Sequence, residues 1–113
     1  GRAPEDVFRV GGENVAPAEV EEVLLAHPAI ETAQVVGVPD ARLGEVPCAY
    51  VKLKAGQTAT EEGILAYMKE RCANFRVPRY LRIVQDFEAI GMTASGKVQK
   101  QKLRDHALKE FKL

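Results

Sequence analysis

Apolar and polar positions along the 113-residue chain predict short strands interleaved with helices. Residues 7–10 alternate as a strand, Gly11 and Gly12 allow a tight turn with positive φ, and residues 13–15 return as the second arm of a hairpin. Further strands are predicted at residues 32–38, 46–53 and 81–84. The chain therefore begins with a hairpin and continues into a small sheet.

Three segments place apolar residues on one helical face. Pro17 suits the first turn of the first helix and Pro28 ends it, whereas Thr58 and Glu61 form a capping box ahead of the second. The apolar positions are Val20, Val23 and Leu24; Ile64, Leu65, Met68 and Cys72; and Leu103, Ala107 and Phe111. Together these elements predict an α+β fold: a mostly three-stranded sheet, an additional N-terminal β-hairpin and three helices.

The composition is that of one ordinary globular domain, and its 16 basic residues balance 16 acidic ones, so nothing global indicates a nucleic-acid partner. We expect a cytoplasmic protein that is not transmembrane, because the chain has neither a run of 18 apolar residues nor a signal-peptide pattern. Cys48 and Cys72 lack metal-ligand spacing, so we expect reduced, buried thiols and no metal bound by this domain. The late basic residues Lys100, Lys102 and Arg104 are predicted to lie on a solvated helix face.

Lys97 follows a glycine-flexible turn and is placed for chemistry on an anion, although a solvated surface lysine is the plainer alternative. Residues 91–97 fit the G-x-x-x-x-G-K part of a P-loop, between a strand and a helix. Val98 stands where a P-loop needs Ser or Thr to hold Mg²⁺. Only 16 residues follow Lys97, too few for the later strands and the acidic metal ligand of a nucleotidase. A P-loop is therefore disfavoured.

Three blocks in order carry a resemblance that spans the chain: residues 1–2 with 11–21, residues 36–40 with 44–45, and residues 95–100 with 103–104. The chain resembles the C-terminal domain of adenylate-forming enzymes, the superfamily of acyl-CoA synthetases, luciferases and peptide-synthetase adenylation domains. Gly-Gly-Glu-Asn at 11–14 and Ser-Gly-Lys-Val-Gln-Lys at 95–100 look like acyl- or aryl-CoA ligases. Peptide-synthetase domains more often have Asn-Gly-Lys followed by Asp-Arg, so a fatty or medium-chain acid ligase is favoured.

The resemblance implies a two-step reaction with ATP, Mg²⁺ and coenzyme A. A carboxylic acid and ATP give acyl-AMP and pyrophosphate; CoA then displaces AMP. It also implies that residues 1–113 are a domain that rotates against a large N-terminal domain of the same protein, which holds most of the ATP and acyl sites. We expect no ligase activity from the chain alone. The alternatives are a stand-alone binding or interaction module derived from this domain, or an adenylation domain of another subtype, an aryl-CoA ligase or a peptide synthetase.

The resemblance also implies roles for particular residues. Lys97 is the expected catalytic residue, and the hinge lies in residues 1–6, where Glu5 and Asp6 are favoured because a proline at position 4 cannot change φ. Arg2 and Lys97 are the expected ATP/AMP contacts. The expected contacts to CoA and its pantetheine arm are Gly11, Gly12, Glu13, Phe75, Arg76 and Arg79. The glycine turn would leave room for the arm and its amides free to bond it. For Arg76 and Arg79, a solvated basic edge is an equal alternative, and Asp40 and Glu45 are expected to shape a turn.

Overall fold

The structure is a computed structural model that describes residues 6–91 and 98–113. Within these residues the strands are β1 (Phe8–Val10), β2 (Glu13–Val15), β3 (Ile30–Asp40), β4 (Gly44–Leu53) and β5 (Tyr80–Val84). The helices are α1 (Pro17–Leu25), α2 (Glu61–Arg71) and α3 (Lys100–Glu110), with a 3₁₀ turn at Asn74–Arg76.

The strands form a single sheet in which β4 is central. On one edge β4 pairs antiparallel with β3 along its whole length, from Asp40 opposite Gly44 onwards. Its other edge pairs in parallel with β5 and, at Gly44, antiparallel with Val10 of β1. The predicted α+β fold is confirmed: β3, β4 and β5 are the three-stranded sheet, and the hairpin of β1 and β2 extends it to five strands.

The core lies between the sheet and the inward faces of the helices. Six apolar positions predicted from helical spacing are fully buried: Val20 and Leu24, Ile64 and Met68, and Leu103 and Ala107. Gly37 of β3 packs against the ring of Phe8, where an added Cβ would lie 2.7 Å from the ring carbon Cγ. The sheet thus needs a glycine at position 37 to bring the hairpin against β3.

In the described residues, charged side chains cover the outer edge of β3 at Val35 and Gly37. The Val35 N–H donates to Glu21 Oε2 at 2.9 Å, and the Lys100 ammonium donates to the Val35 carbonyl at 2.8 Å. Arg104 Nε donates to the carbonyl of Gly37 at 2.9 Å. The prediction of a solvated helix face is therefore wrong for Lys100 and Arg104, because unpaired edge groups attract long polar side chains; Lys102 is exposed, as predicted.

The N-cap of helix α2 lies two residues later than the capping box predicted from the sequence. Thr60, not Thr58, is the N-cap, and its hydroxyl accepts from the Gly63 N–H at 3.0 Å. Glu61 does not return to the helix start; its carboxylate accepts from the Ile83 N–H at 3.2 Å. The first turn of α2 is thereby tied to β5.

Candidate functional site

A groove of about 860 Å³ opens beside the glycine turn of the first hairpin. We call it the hairpin groove. It is bounded by the β1–β2 turn, the β3–β4 turn, the side of α2 that carries Leu65 and Lys69, and the segment from 74 to 79. Its lining residues are Val10, Gly11, Glu13, Arg42, Leu43, Val46, Pro47, Leu65, Lys69, Asn74, Phe75, Val77, Pro78 and Arg79. Two segments far apart in sequence, both expected to contact CoA, thus line one groove.

The glycine turn has a conformation that other residues rarely adopt. Gly11 and Gly12 have φ values of 57° and 90°, and a Cβ on Gly11 would lie 3.0 Å from Leu43 Cδ2. The Gly11 N–H donates to the Leu43 carbonyl at 2.8 Å. The expectation that the turn's amides are free to bind a ligand is therefore wrong for Gly11, whose amide instead fixes the hairpin to the β3–β4 turn.

The β3–β4 turn is held by a carboxylate. Asp40 Oδ2 accepts from the Leu43 N–H at 2.8 Å and from the Arg42 N–H at 3.1 Å, so Asp40 shapes the turn, as expected. The bond from Leu43, followed by that from Arg42 and the charges of Arg79 and Arg42, outweighs partial desolvation and lowers the pKa of Asp40 below its ordinary value. The carboxylate is therefore ionised at neutral pH and sits beside the groove.

The hairpin groove is lined by both basic and apolar side chains. Arg79 is 48% exposed and pairs with Asp40 at 3.5 Å, and Arg42 and Lys69 line the same groove. The floor is formed by aliphatic and proline side chains, among them Val46 and Pro47. This combination suits an elongated ligand with an anionic group at one end and an uncharged arm. Sequence reasoning missed Arg42 and Lys69, because an exposed cation on a turn or helix gives no signal until the fold brings it to a groove.

Arg76 and Gly12 are placed differently from the rest of the expected CoA set. Arg76 pairs with Glu19 at 3.5 Å, stacks over the Phe75 ring at 5.2 Å and lines a second groove between α1 and α2. The Gly12 carbonyl accepts from the guanidinium of Arg9 at 2.7 Å. Neither is among the residues that line the hairpin groove, whereas Gly11, Glu13, Phe75 and Arg79 are.

The residues assigned to the first half-reaction lie mostly outside the described part of the chain. Lys97, Arg2 and Glu5 fall there, and Asp6 is exposed at its border. The residues flanking the lysine loop are described: the Gln99 N–H donates to the Gly91 carbonyl at 2.7 Å. Gly91 has a φ of 154°, and a Cβ there would lie 3.3 Å from the Gln99 carbonyl oxygen and the Leu103 nitrogen. Gly91 and Gln99, the described residues nearest to Lys97 that share a hydrogen bond, thus meet at the start of α3.

Across residues 6–91 and 98–113, no group of three or more His, Cys, Asp or Glu residues is arranged to hold a metal ion. Over the same ranges no helix combines the length and hydropathy that crossing a membrane requires. Cys48 is buried and Cys72 half-buried, and neither is in a disulfide. Burial raises the pKa of the Cys48 thiol to about 12 and also raises that of Cys72, so both thiols are protonated at neutral pH.

The fold is that of the C-terminal domains of adenylate-forming enzymes. ATP-bound MatB from Rhodopseudomonas palustris superposes with a TM-score of 0.81 at 33% identity, over 95% of this chain and 20% of MatB. The Mycobacterium tuberculosis fatty acyl CoA synthetase gives a TM-score of 0.78 at 31% identity, over 93% of this chain and 20% of that one.

The chain belongs to the family of AMP-binding enzyme C-terminal domains, whose model matches residues 19–97. The mitochondrial medium-chain acyl-CoA ligase of Danio rerio is 49% identical over 113 residues, which is 100% of this chain and 18% of the relative. The chain thus spans about a fifth of the length of such relatives.

Proposed function

We propose that residues 1–113 form the C-terminal catalytic domain of an ATP-dependent carboxylic acid–CoA ligase, acting with a larger N-terminal domain of the same protein. The acid and ATP give acyl-AMP and pyrophosphate, and CoA and acyl-AMP then give acyl-CoA and AMP. A fatty or medium-chain acid is the proposed substrate, supported by the 49% identity to a relative named as a medium-chain acyl-CoA ligase.

The observation that carries this proposal is the hairpin groove. It combines the glycine turn of Gly11, the Phe75 ring and the exposed cation of Arg79 around an apolar floor. Coenzyme A has matching parts: a phosphorylated nucleotide suits the cations, and a long uncharged pantetheine arm suits the floor and the glycine turn. We assign the groove to CoA in the second half-reaction, with Arg42 and Lys69 as additional cations.

Lys97 is the proposed catalytic residue of the first half-reaction. The acid carboxylate and the α-phosphate of ATP repel each other as the carboxylate oxygen attacks and pyrophosphate leaves. An ammonium placed between them offsets that repulsion and stabilises the charge that develops in the transition state. Arg2 is the proposed second contact to the nucleotide, and Mg²⁺ is proposed to arrive with ATP on the N-terminal domain.

Two half-reactions at one site require the domain to present two surfaces in turn. Gly91 and Gln99 meet at the start of α3, which packs on β3, whereas the hairpin groove is lined by the β1–β2 turn, the β3–β4 turn and the segment from 74 to 79. We propose that rotation about residues 1–6, with Glu5 and Asp6 as the hinge, exchanges these surfaces. A cytoplasmic location remains a prediction, and the Danio rerio relative is named as mitochondrial.

The experiment compares the two half-reactions in the full-length protein that contains this chain. Lys97→Ala is expected to lower ATP–pyrophosphate exchange by about 10²- to 10³-fold, while thioester formation from supplied acyl-adenylate is retained. Lys102→Ala, which removes an exposed lysine of α3, is the matched control and leaves both rates unchanged. The chain alone is expected to catalyse neither step. Equal losses in both half-reactions, or none in exchange, contradict the proposed function.

A further inference from the structure

The Glu21–Lys100 ion pair lies at the outer edge of β3, where both side chains also bond to the backbone of Val35. Its side chains are only 19% and 16% exposed, and it joins α1 to the first residue of α3. Glu21 accepts from the Val35 N–H, and Lys100 donates to the Val35 carbonyl. The pair therefore satisfies both backbone groups of Val35, as a neighbouring strand would do.

A second cation repeats this contact along the same edge. Arg104 donates to the carbonyl of Gly37 at 2.9 Å and lies 3.6 Å from Glu45. Lys100 and Arg104 are four residues apart on α3, about 6 Å along a helix, and their acceptors are two residues apart on β3, about 6.6 Å along a strand. The spacings match, so the two cations fix α3 along the outer edge of β3.

The residues that flank the segment containing Lys97 meet at this anchored end of α3. Gln99, which precedes Lys100, donates to the Gly91 carbonyl at 2.7 Å. Lys97 precedes Lys100 by three residues in the sequence. Helix α3 has no side-chain cap at its start, so its first turn has no local bond of that kind to hold it in place. The Glu21–Lys100 pair fixes the first turn of α3 through contacts with α1 and β3.

We propose that Glu21 and Lys100 are positioning residues for adenylation, because they fix the start of α3, which Lys97 precedes by three residues in the sequence. The proposal rests on the function proposed above for Lys97. Lys100 acts through Lys97 and does not contact ATP. A displacement of the start of α3 by about 1 Å is expected to cost up to about 10²-fold in the step that Lys97 catalyses and to leave the CoA step largely intact.

The test uses the full-length protein and both half-reactions. Lys100→Met keeps the aliphatic stem but removes the ammonium, and we expect ATP–pyrophosphate exchange to fall about 10- to 100-fold with thioester formation from supplied acyl-adenylate retained. Lys100→Arg restores most of the exchange rate, since a guanidinium can donate to both Glu21 and the Val35 carbonyl. Should Lys100→Met fail to fold by circular dichroism, Glu21→Gln, which loses the charge but keeps an acceptor, replaces it in every comparison.

A double-mutant comparison separates positioning from a general loss of stability. If Lys100 acts through Lys97, then adding Lys100→Met to Lys97→Ala lowers the exchange rate no further, because the group being positioned is already absent. A multiplicative loss overturns the proposal. So does a Lys100→Met variant that keeps the wild-type exchange rate, or one that loses both half-reactions equally.

Arg104→Met is the matched control, since it breaks the corresponding contact one turn further along α3. It is expected to shift thermal stability about as much as Lys100→Met while lowering exchange less. An exchange loss as large as that of Lys100→Met means that any loosening of α3 suffices, which overturns the specific role of the pair. If Lys97→Ala shows no selective loss of ATP–pyrophosphate exchange, the proposed function is wrong. If Lys97→Ala shows that loss but Lys100→Met does not, only the positioning role is wrong.

Discussion

Asp40 connects the stability of the β3–β4 turn to pH. Its pKa is lowered in the folded protein, chiefly by the Leu43 N–H, so the folded state binds this proton less tightly than the unfolded chain. The stabilisation is therefore complete above the ordinary value of 3.8 and is lost as pH falls through the lower folded pKa. Asp40→Asn should lower the free energy of unfolding at neutral pH, and the difference from wild type should shrink in acid, as measured by urea denaturation.

The ranking of causes supplies the control for this prediction. Because the backbone bond from Leu43 outweighs the charge of Arg79, which lies 3.5 Å away at the surface, Arg79→Ala should change the acid limb less than Asp40→Asn does. Equal effects of the two substitutions would mean that the ion pair, not the backbone bond, holds the carboxylate ionised.

Individual residues were predictable where one local cause decides their environment. Helical spacing alone identified Leu103 and Ala107 as buried, and the short distance from Asp40 to its turn identified a turn-shaping carboxylate. Lys100 and Arg104 were predicted wrongly because their partners lie more than 60 residues away on β3. Nothing near a lysine in sequence indicates that a strand edge will lie beside it.

At the scale of elements, the start of α2 offers a matched pair of substitutions. Thr60 accepts from the Gly63 N–H, whereas Thr58 is exposed outside the helix. Thr60→Ala is therefore expected to lower the free energy of unfolding by about 1 kcal/mol, and Thr58→Ala to change it by less than about 0.5 kcal/mol. Urea denaturation of the two variants measures both values. A larger effect at Thr58 would restore the capping box predicted from the sequence.

In the described residues, the three α-helices and five strands were all predicted from the sequence pattern, while the 3₁₀ turn at Asn74–Arg76 and the connections between elements were not. The predicted strand at 32–38 extends to Ile30–Asp40, because pairing with β4 continues to the turn beyond the apolar run. The hairpin was predicted as an addition to the sheet, yet Val10 pairs with Gly44 and makes it part of the same sheet. The Gly11 bond to Leu43 and the packing of Phe8 on Gly37 accompany this pairing, and both join segments that are distant in sequence.

At the scale of the whole molecule, the candidate site has a part that sequence could predict and a part that it could not. The motif resemblance identified Gly11, Glu13, Phe75 and Arg79, which do line one groove. The resemblance gave no reason to treat Arg76 differently. Phe75, its neighbour along the chain, lines the groove, but the guanidinium of Arg76 pairs with Glu19 instead. The guanidinium of Arg76 lies against Glu19 of α1, a contact with a distant segment that the motif does not indicate.

If the domain uses its two surfaces in turn, then damage to the hairpin groove should mirror damage to Lys97. Arg79→Ala in the full-length protein is expected to lower kcat/KM for CoA about 10-fold or more, the usual cost of a lost charged contact, and to leave ATP–pyrophosphate exchange unchanged. Arg71→Ala is the control, because Arg71 stacks on Tyr67 outside the groove and its loss should affect neither step. Loss of exchange in Arg79→Ala would place both half-reactions on one surface, and the rotation would then be unnecessary.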